Sequence, residues 1–137
     1  MKKIRSHFDL AEALDKELSW RKHELINLKL YHDQAREHHA MMLRRAGIAL
    51  IYAHFEGFIK AAGRLYVEFV SRSGLRYRDL LPGFVALGMK RELFPGTESA
   101  RGAVLREVVV YLTDHADVIA ELPWASAIQT KSNLTSE

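Results

Sequence analysis

Leucine and other residues recur at steps of three and four through the first half of the chain, which is the period of an α-helix. The first stretch, about residues 8–36, contains neither Gly nor Pro, and Ser6 or Asp9 can cap its start. Its repeating positions are Leu10, Leu14, Leu18, Arg21, Leu25, Leu28 and His32. A second stretch, about residues 37–73, runs to a natural stop at Gly74. No Gly or Pro separates the two stretches, so two helices and one bent helix both fit the pattern.

Shorter helices are predicted in the second half of the chain. Pro82 suits the first turn of a helix of about residues 82–93, and Thr97 can cap a helix of about residues 98–113. Residues 114–127 have no regular pattern. Because no stretch alternates apolar and polar residues as a half-buried strand does, the sequence predicts an all-α fold. We expect a helical bundle of two long antiparallel helices with shorter helices packed across them.

The apolar helix over Arg44–Tyr66 separates into three faces when its residues are placed at about 100° each. A predicted core face contains Ile48, Ile51, Phe55, Phe58, Ala62 and Leu65. A candidate dimer or helix-packing face, made mostly of small residues, contains Gly47, Leu50, His54, Gly57 and Ala61. Small residues let another helix approach closely, either within the chain or from a second copy. The polar face contains Arg45, Tyr52, Glu56 and Lys60.

The polar residues of this helix have ordinary interpretations as well as functional ones. Glu56 and Lys60 have the spacing and order of a surface ion pair. His54 lies among small residues, where a histidine is more often a hydrogen-bonded interface residue than a catalyst. Tyr52 can place its ring in the core and its hydroxyl at the edge. The functional hypothesis is that Arg45, Tyr52, His54, Glu56 and Lys60 line a cleft.

The composition indicates one domain and narrows the class of protein. At 137 residues the chain can bury a core, and it contains no cysteine for disulfides or thiolate metal sites. The N-terminus lacks the apolar segment of a signal peptide, and the longest apolar run, residues 46–53, is too short for a bilayer. We therefore expect a cytoplasmic protein without a membrane partner. A net charge of +3 permits a polyanionic partner but argues for one only weakly.

The last residues predict that the chain continues. In "KSNLTSE", Ser132 can cap a new helix, and Asn133 and Leu134 are suited to its first turn. The sequence stops at Glu137, before any such helix. We therefore interpret residues 1–137 as the N-terminal portion of a longer protein.

Motifs for phosphate loops, dinucleotide folds, zinc proteases and hydrolase nucleophiles are absent from the sequence. His32 and His39 can share one face of a continuous helix, but a zinc site needs a third ligand from elsewhere. A solvated helix face explains these histidines better, so we predict no metal and no cofactor. A metal-binding bundle remains the third-ranked alternative.

Two segments resemble the HEPN superfamily, and in particular its RiboL-PSP-HEPN-like branch. They are "WRKHEL", Trp20–Leu25, and "RAGIALIYAHFEGFIKAAGRLYVEFV", Arg45–Val70, whose central "YAHFEGFIK" carries most of the likeness. The downstream "SNLTSE" also resembles that branch. The resemblance implies a helical domain that often forms a homodimer. It also implies a metal-independent endoribonuclease, of toxin–antitoxin or phage-defence type, that leaves 2′,3′-cyclic phosphate ends.

Active members of the superfamily carry Arg, four to six residues, and then His, and no such pair occurs in residues 1–137. The resemblance therefore identifies no catalytic residue in this sequence. It implies a role only for Glu56, as a polar residue that faces the cleft. In the branch that the sequence resembles, the motif would lie in a later helix beyond Glu137, so it is either truncated away here or absent from the protein. The leading hypothesis is a HEPN-type domain of an RNA-cleaving protein, and the alternative is a non-catalytic module for dimerisation or for docking an antitoxin or another protein.

Overall fold

A long helical hairpin forms the frame of the computed structural model, which describes residues 3–93 and 101–128. Helix α1 is His7–Gln34 and helix α2 is Glu37–Arg72. The link consists of Ala35 and Arg36, whose backbones are extended (φ −79°, ψ 147° and φ −66°, ψ 154°). These dihedrals lie in the extended region that any L-residue can adopt, so the chain reverses its direction without Gly or Pro. The structure thus decides between the two alternatives: the long stretches are separate helices.

The two helices run antiparallel, because residues late in α1 meet residues early in α2. Leu28 contacts Gly47 near the link, whereas the rings of His7 and Phe69 lie 4.8 Å apart at the far end. A capping box starts α1. The Asp9 backbone N–H donates to Ser6 Oγ at 3.1 Å, and the Ser6 backbone N–H donates to Asp9 Oδ2 at 3.1 Å.

The open end of the hairpin, the hairpin base (residues 7–21 and 57–72), carries the rest of the fold. A short 3-10 helix, Tyr77–Asp79, leads to helix α3, Pro82–Leu93, and helix α4 is Arg101–His115. The chain then returns to pair Ile119 with Arg76 in a single antiparallel bridge. The principal buried cluster lies here and consists of Val67, Val70, Tyr77, Met89, Tyr111, Ala120 and Leu122.

The closed end, the hairpin tip (residues 22–56), contradicts part of the predicted core face. Ile48 is 71% exposed, Ile51 56% and Phe55 65%, so these three expectations were wrong. Farther along the same face Leu65 is only 4% exposed. At the tip α2 turns its small-residue face to α1, because small residues allow the close approach. The larger side chains on the adjacent face stay mostly exposed among the described residues, with Ile48 and Ile51 bordering an open groove beside α1.

The prediction of an all-α bundle with two long antiparallel helices is confirmed. Helix α4 ends two residues later than predicted, and the structure begins it at Arg101, after the predicted cap. That cap, Thr97, and the predicted helix start at Ser132–Leu134 lie outside the described residues. In the described part of the chain, no helix combines the length and the apolar character needed to cross a membrane.

Candidate functional site

The polar face of α2 brings three of the predicted cleft residues together. Tyr52, Glu56 and Lys60 follow one another at four-residue steps, and Lys60 Nζ lies 2.8 Å from Glu56 Oε1. The side chain of Glu56 is 20% exposed and that of Lys60 39%, while Tyr52 is exposed. Arg45 is also exposed, but it lies seven residues before Tyr52, about 10 Å along the helix axis. The structure therefore groups the first three and leaves Arg45 apart.

His54 belongs to a different face from Glu56. It is 8% exposed and lies between the two long helices, with its ring 5.3 Å from that of Trp20 in an edge-to-face arrangement. His54 Nε2 is 2.9 Å from Glu24 Oε2, close enough for an ion pair but not aligned as a hydrogen bond. The histidine thus joins α2 to α1 and does not open toward the polar face.

The candidate dimer or helix-packing face packs against α1 of the same chain. A Cβ at Gly47 would come 3.1 Å from a methyl carbon of Leu28, and one at Gly57 would come 3.3 Å from a guanidinium nitrogen of Arg21. Leu50 and Ala61, on the same face, are half-buried. Within the described chain, α1 is therefore the neighbour of this face.

Three charged residues outside the predicted cleft set, Glu17, Arg21 and Arg64, extend the polar face at the hairpin base. Arg21 is 8% exposed, and its Nη1 donates to the Glu17 carbonyl oxygen and, at 2.6 Å, to Glu17 Oε2. Arg21 occupies a position in the leucine repeat of α1, and a charged residue at a repeat position was the available signal. Arg64 has a buried Nε without a hydrogen-bond partner among the described residues.

The charges around Glu17 set its ionisation. The hydrogen bond from Arg21 lowers the pKa of the Glu17 carboxyl below its usual value, although burial works in the opposite direction. The charge of Arg21, a hydrogen bond from Trp20 and the charge of Arg64 lower this pKa further. Glu17 is therefore a carboxylate at neutral pH, and it balances part of the positive charge on the two arginines.

This arrangement suits binding of an anion better than proton transfer. Lys60, Arg21 and Arg64 supply cationic donors along one edge of the hairpin base, whereas the ring of His54 is buried on another face. A general acid or base must reach the reacting group, and no histidine lines this edge within the described residues. General acid–base catalysis at this edge would therefore need a proton-transferring group from outside the described residues.

A metal centre has no support from the described part of the chain, where no three His, Cys, Asp or Glu side chains converge. His32 and His39 lie on different helices, since α1 ends at Gln34. Both ring nitrogens of His32 also have neighbours, Arg44 Nε at 2.9 Å and Asp33 Oδ1 at 3.1 Å. The geometry that the metal alternative needed, one helix carrying both histidines, is absent.

The fold and the polar edge place the protein in a class of helical domains that are built on a long hairpin and carry a cationic edge. A family model described as MAE_28990-like HEPN (HEPN_MAE_28990) matches residues 10–137. The chain belongs to this HEPN family, and the resemblance to the HEPN superfamily is confirmed. The matched family is the MAE_28990-like one, whereas the sequence resemblance named the RiboL-PSP-HEPN-like branch. Neither the curated proteins nor the solved structures compared with the chain gave a match.

Proposed function

We propose that the chain is the HEPN domain of a metal-independent endoribonuclease of the toxin or phage-defence type, acting in the cytoplasm on RNA. Membership of the HEPN family over residues 10–137 is the observation that carries the proposal. The cationic edge of Arg21, Lys60 and Arg64 supports it, because phosphates of an RNA backbone bind such donors.

In this nuclease, residues of α2 would bind the RNA, and a separate motif would carry out the proton transfers. Glu56, Lys60 and Tyr52 lie along one side of α2, where Lys60 can hold a phosphate and the exposed ring of Tyr52 can stack on a base. The proton transfers that form a 2′,3′-cyclic phosphate need a histidine, and the charge on the phosphate needs an arginine. Residues 1–137 contain no Arg-x4–6-His motif, so an active nuclease would have to carry that motif outside these residues.

The test compares residues 1–137 with the product of the complete reading frame on labelled single-stranded RNA in EDTA. We expect cleavage by the longer protein alone, with 2′,3′-cyclic phosphate ends. Replacing the arginine and the histidine of a motif found downstream of Glu137, each by alanine, serves as the control and abolishes cleavage. A longer protein that carries no such motif, or that fails to cut a wide set of RNAs, contradicts the proposal.

A second candidate, a dimerisation or docking module without catalysis, is favoured by one observation at the hairpin tip. Ile48, Ile51 and Phe55 form an exposed apolar strip on α2. Together with neighbouring α1 residues, Ile48 and Ile51 line an apolar groove of about 520 Å³. Exposed apolar patches of this kind mark interaction surfaces. A homodimer that buries the strip is compatible with both the nuclease and the docking module. The docking module would bind an antitoxin or another protein as well.

Light scattering measures whether the strip joins two copies. We expect a dimer for the unaltered chain and a monomer for Ile51→Ser/Phe55→Ser, while Leu81→Ser, at an exposed position outside the tip, stays dimeric. A monomer at all concentrations for the unaltered chain rules out the homodimer. RNA cleavage by the longer protein decides separately between the nuclease and the docking module.

A further inference from the structure

A polar pocket of about 370 Å³ lies between the two long helices and residues 124–128, at the hairpin base. Its wall contains Arg21 from α1, Lys60 and Arg64 from α2, and the carboxylate of Glu17. Trp124 closes one side. The volume is within the range of about 300–1,000 Å³ that small-molecule sites occupy. We call this site the anion pocket.

The charges in the wall are unbalanced among the described residues. Arg21 is paired with Glu17 at 2.6 Å, and Lys60 is paired with Glu56 at 2.8 Å. The wall thus contains three cations and one carboxylate, and Arg64 also borders a neighbouring pocket that contains Asp9 and Glu12. Glu17 feels the charge of Arg64, since Arg64 contributes to the lowered pKa of the Glu17 carboxyl after Arg21 and Trp20.

Two buried donors also lack acceptors. The Nε atoms of Arg21 and Arg64 are both buried, and neither has a hydrogen-bond partner among the described residues. A buried donor without a partner is costly, and a guanidinium carries its donors in a rigid plane that matches the oxygens of a phosphate. An oxyanion that entered the pocket and reached these buried atoms would accept hydrogen bonds from both and reduce the excess of positive charge in the wall.

The close packing of the helices holds Arg21 in this position. Gly57 faces its guanidinium, and a Cβ there would lie 3.3 Å from one terminal nitrogen and 3.8 Å from Nε. The guanidinium carbon also lies 4.3 Å from the centre of the Trp20 ring. Such a fixed donor loses little conformational entropy when an anion binds.

We propose that the anion pocket binds a phosphate group, with Arg21 and Arg64 donating hydrogen bonds and Lys60 adding charge at the rim. The RNA backbone is the source of that phosphate, a choice that rests on the proposed function. A free phosphate or a small phosphorylated ligand offers the same chemistry, and the experiment separates the two sources.

The experiment titrates inorganic phosphate into residues 1–137 and follows the melting temperature and the NMR signals of the arginine Nε–H groups. Arg64→Gln removes one charge and its donor, while Arg76→Gln removes an exposed cation paired with Asp117 outside the pocket. We expect phosphate to raise the melting temperature of the unaltered chain and of Arg76→Gln. In Arg64→Gln the affinity falls by about tenfold or more, as expected for one charged hydrogen-bonding group.

Lys60→Gln provides a second variant should Arg64→Gln fail to fold, since the Lys60 side chain is 39% exposed. It weakens phosphate binding less, and the Nε–H signal of Arg21 still shifts on titration. No phosphate-dependent change in the unaltered chain overturns the anion pocket. Equal affinities for the unaltered chain, Arg64→Gln and Lys60→Gln overturn it as well.

A short single-stranded RNA then competes with phosphate in the same titration. Competition that Arg64→Gln abolishes supports the RNA backbone as the ligand. Phosphate binding that depends on Arg64 but resists RNA supports the pocket as a site for a small phosphorylated ligand, and it counts against the proposed function. Failure of the anion pocket and failure of the proposed RNA-cleaving function therefore give different results.

Discussion

The hairpin base and the hairpin tip are built from the same two helices, yet the predicted core face of α2 is buried at Leu65 in the base and exposed at the tip. At the base, Leu65 is 4% exposed and lies beside Ile4 and the first half of α1. At the tip, Ile51 and Phe55 belong to the same helical face and are 56% and 65% exposed. An apolar stripe predicts that a face can be buried, but a second surface must be present to bury it.

The base and the tip also differ in the kind of surface that they expose. The base carries a charged pocket with buried donors, and the tip carries an apolar strip. A charged pocket suits a phosphate group, whereas an exposed apolar strip suits a protein partner.

Leu65→Ala tests how strongly the base holds the fold together. Removing a buried leucine side chain costs about 2–5 kcal/mol of the free energy of unfolding, because a cavity is left behind. Leu65 is 4% exposed, so we expect a loss in this range, measured by urea denaturation. A loss below about 1 kcal/mol would mean that the base is loosely packed and that the contrast with the tip is false.

Gly63→Ala tests whether residues 124–128 pack closely on α2. A Cβ at Gly63 would overlap Ile128 Cδ1 and lie 3.1 Å from its Cγ1, so Ile128 must move. Overpacking costs about 1–3 kcal/mol, and the gain in helix propensity offsets part of it, so we expect a net loss of about 1 kcal/mol. Gly83→Ala is the matched control, since its Cβ meets open space. A stabilising Gly63→Ala would refute the close approach.

Glu17→Gln tests the charged network at the base through pH. The pKa of Glu17 is lowered in the folded protein, so its ionisation stabilises the fold above the usual value of 4.5, and this stabilisation is lost as pH falls through the lowered value. We expect Glu17→Gln to be less stable than the unaltered chain at pH 7, with the difference shrinking below pH 4.5. Urea unfolding at several pH values measures the difference, and a constant difference would contradict the lowered pKa.

Ile51→Ala tests the tip and completes the pair with Leu65→Ala. Ile51 is 56% exposed, so we expect a change within about ±0.5 kcal/mol in the free energy of unfolding of the monomer. Denaturation at low protein concentration measures the monomer alone. A loss as large as that of Leu65→Ala would show that another part of the chain covers the tip.

Several features followed from the sequence alone. The period of three and four placed both long helices within two residues of their observed ends, and the residues around "YAHFEGFIK" identified the superfamily. The pairing of Glu56 with Lys60 followed from their spacing. Such features are local, because they depend on residues within one or two helical turns of each other.

The tertiary structure decided what depends on distant residues. Only the reversal at Ala35 and Arg36 brings Arg21 and Glu17 beside Lys60 and Arg64, which are about 40 positions away in the sequence. The sequence also offered two faces of α2 for burial, and the close approach of α1 chose the small one at the tip. Periodicity identifies which residues share a face, but the neighbour that covers the face is set by the path of the whole chain.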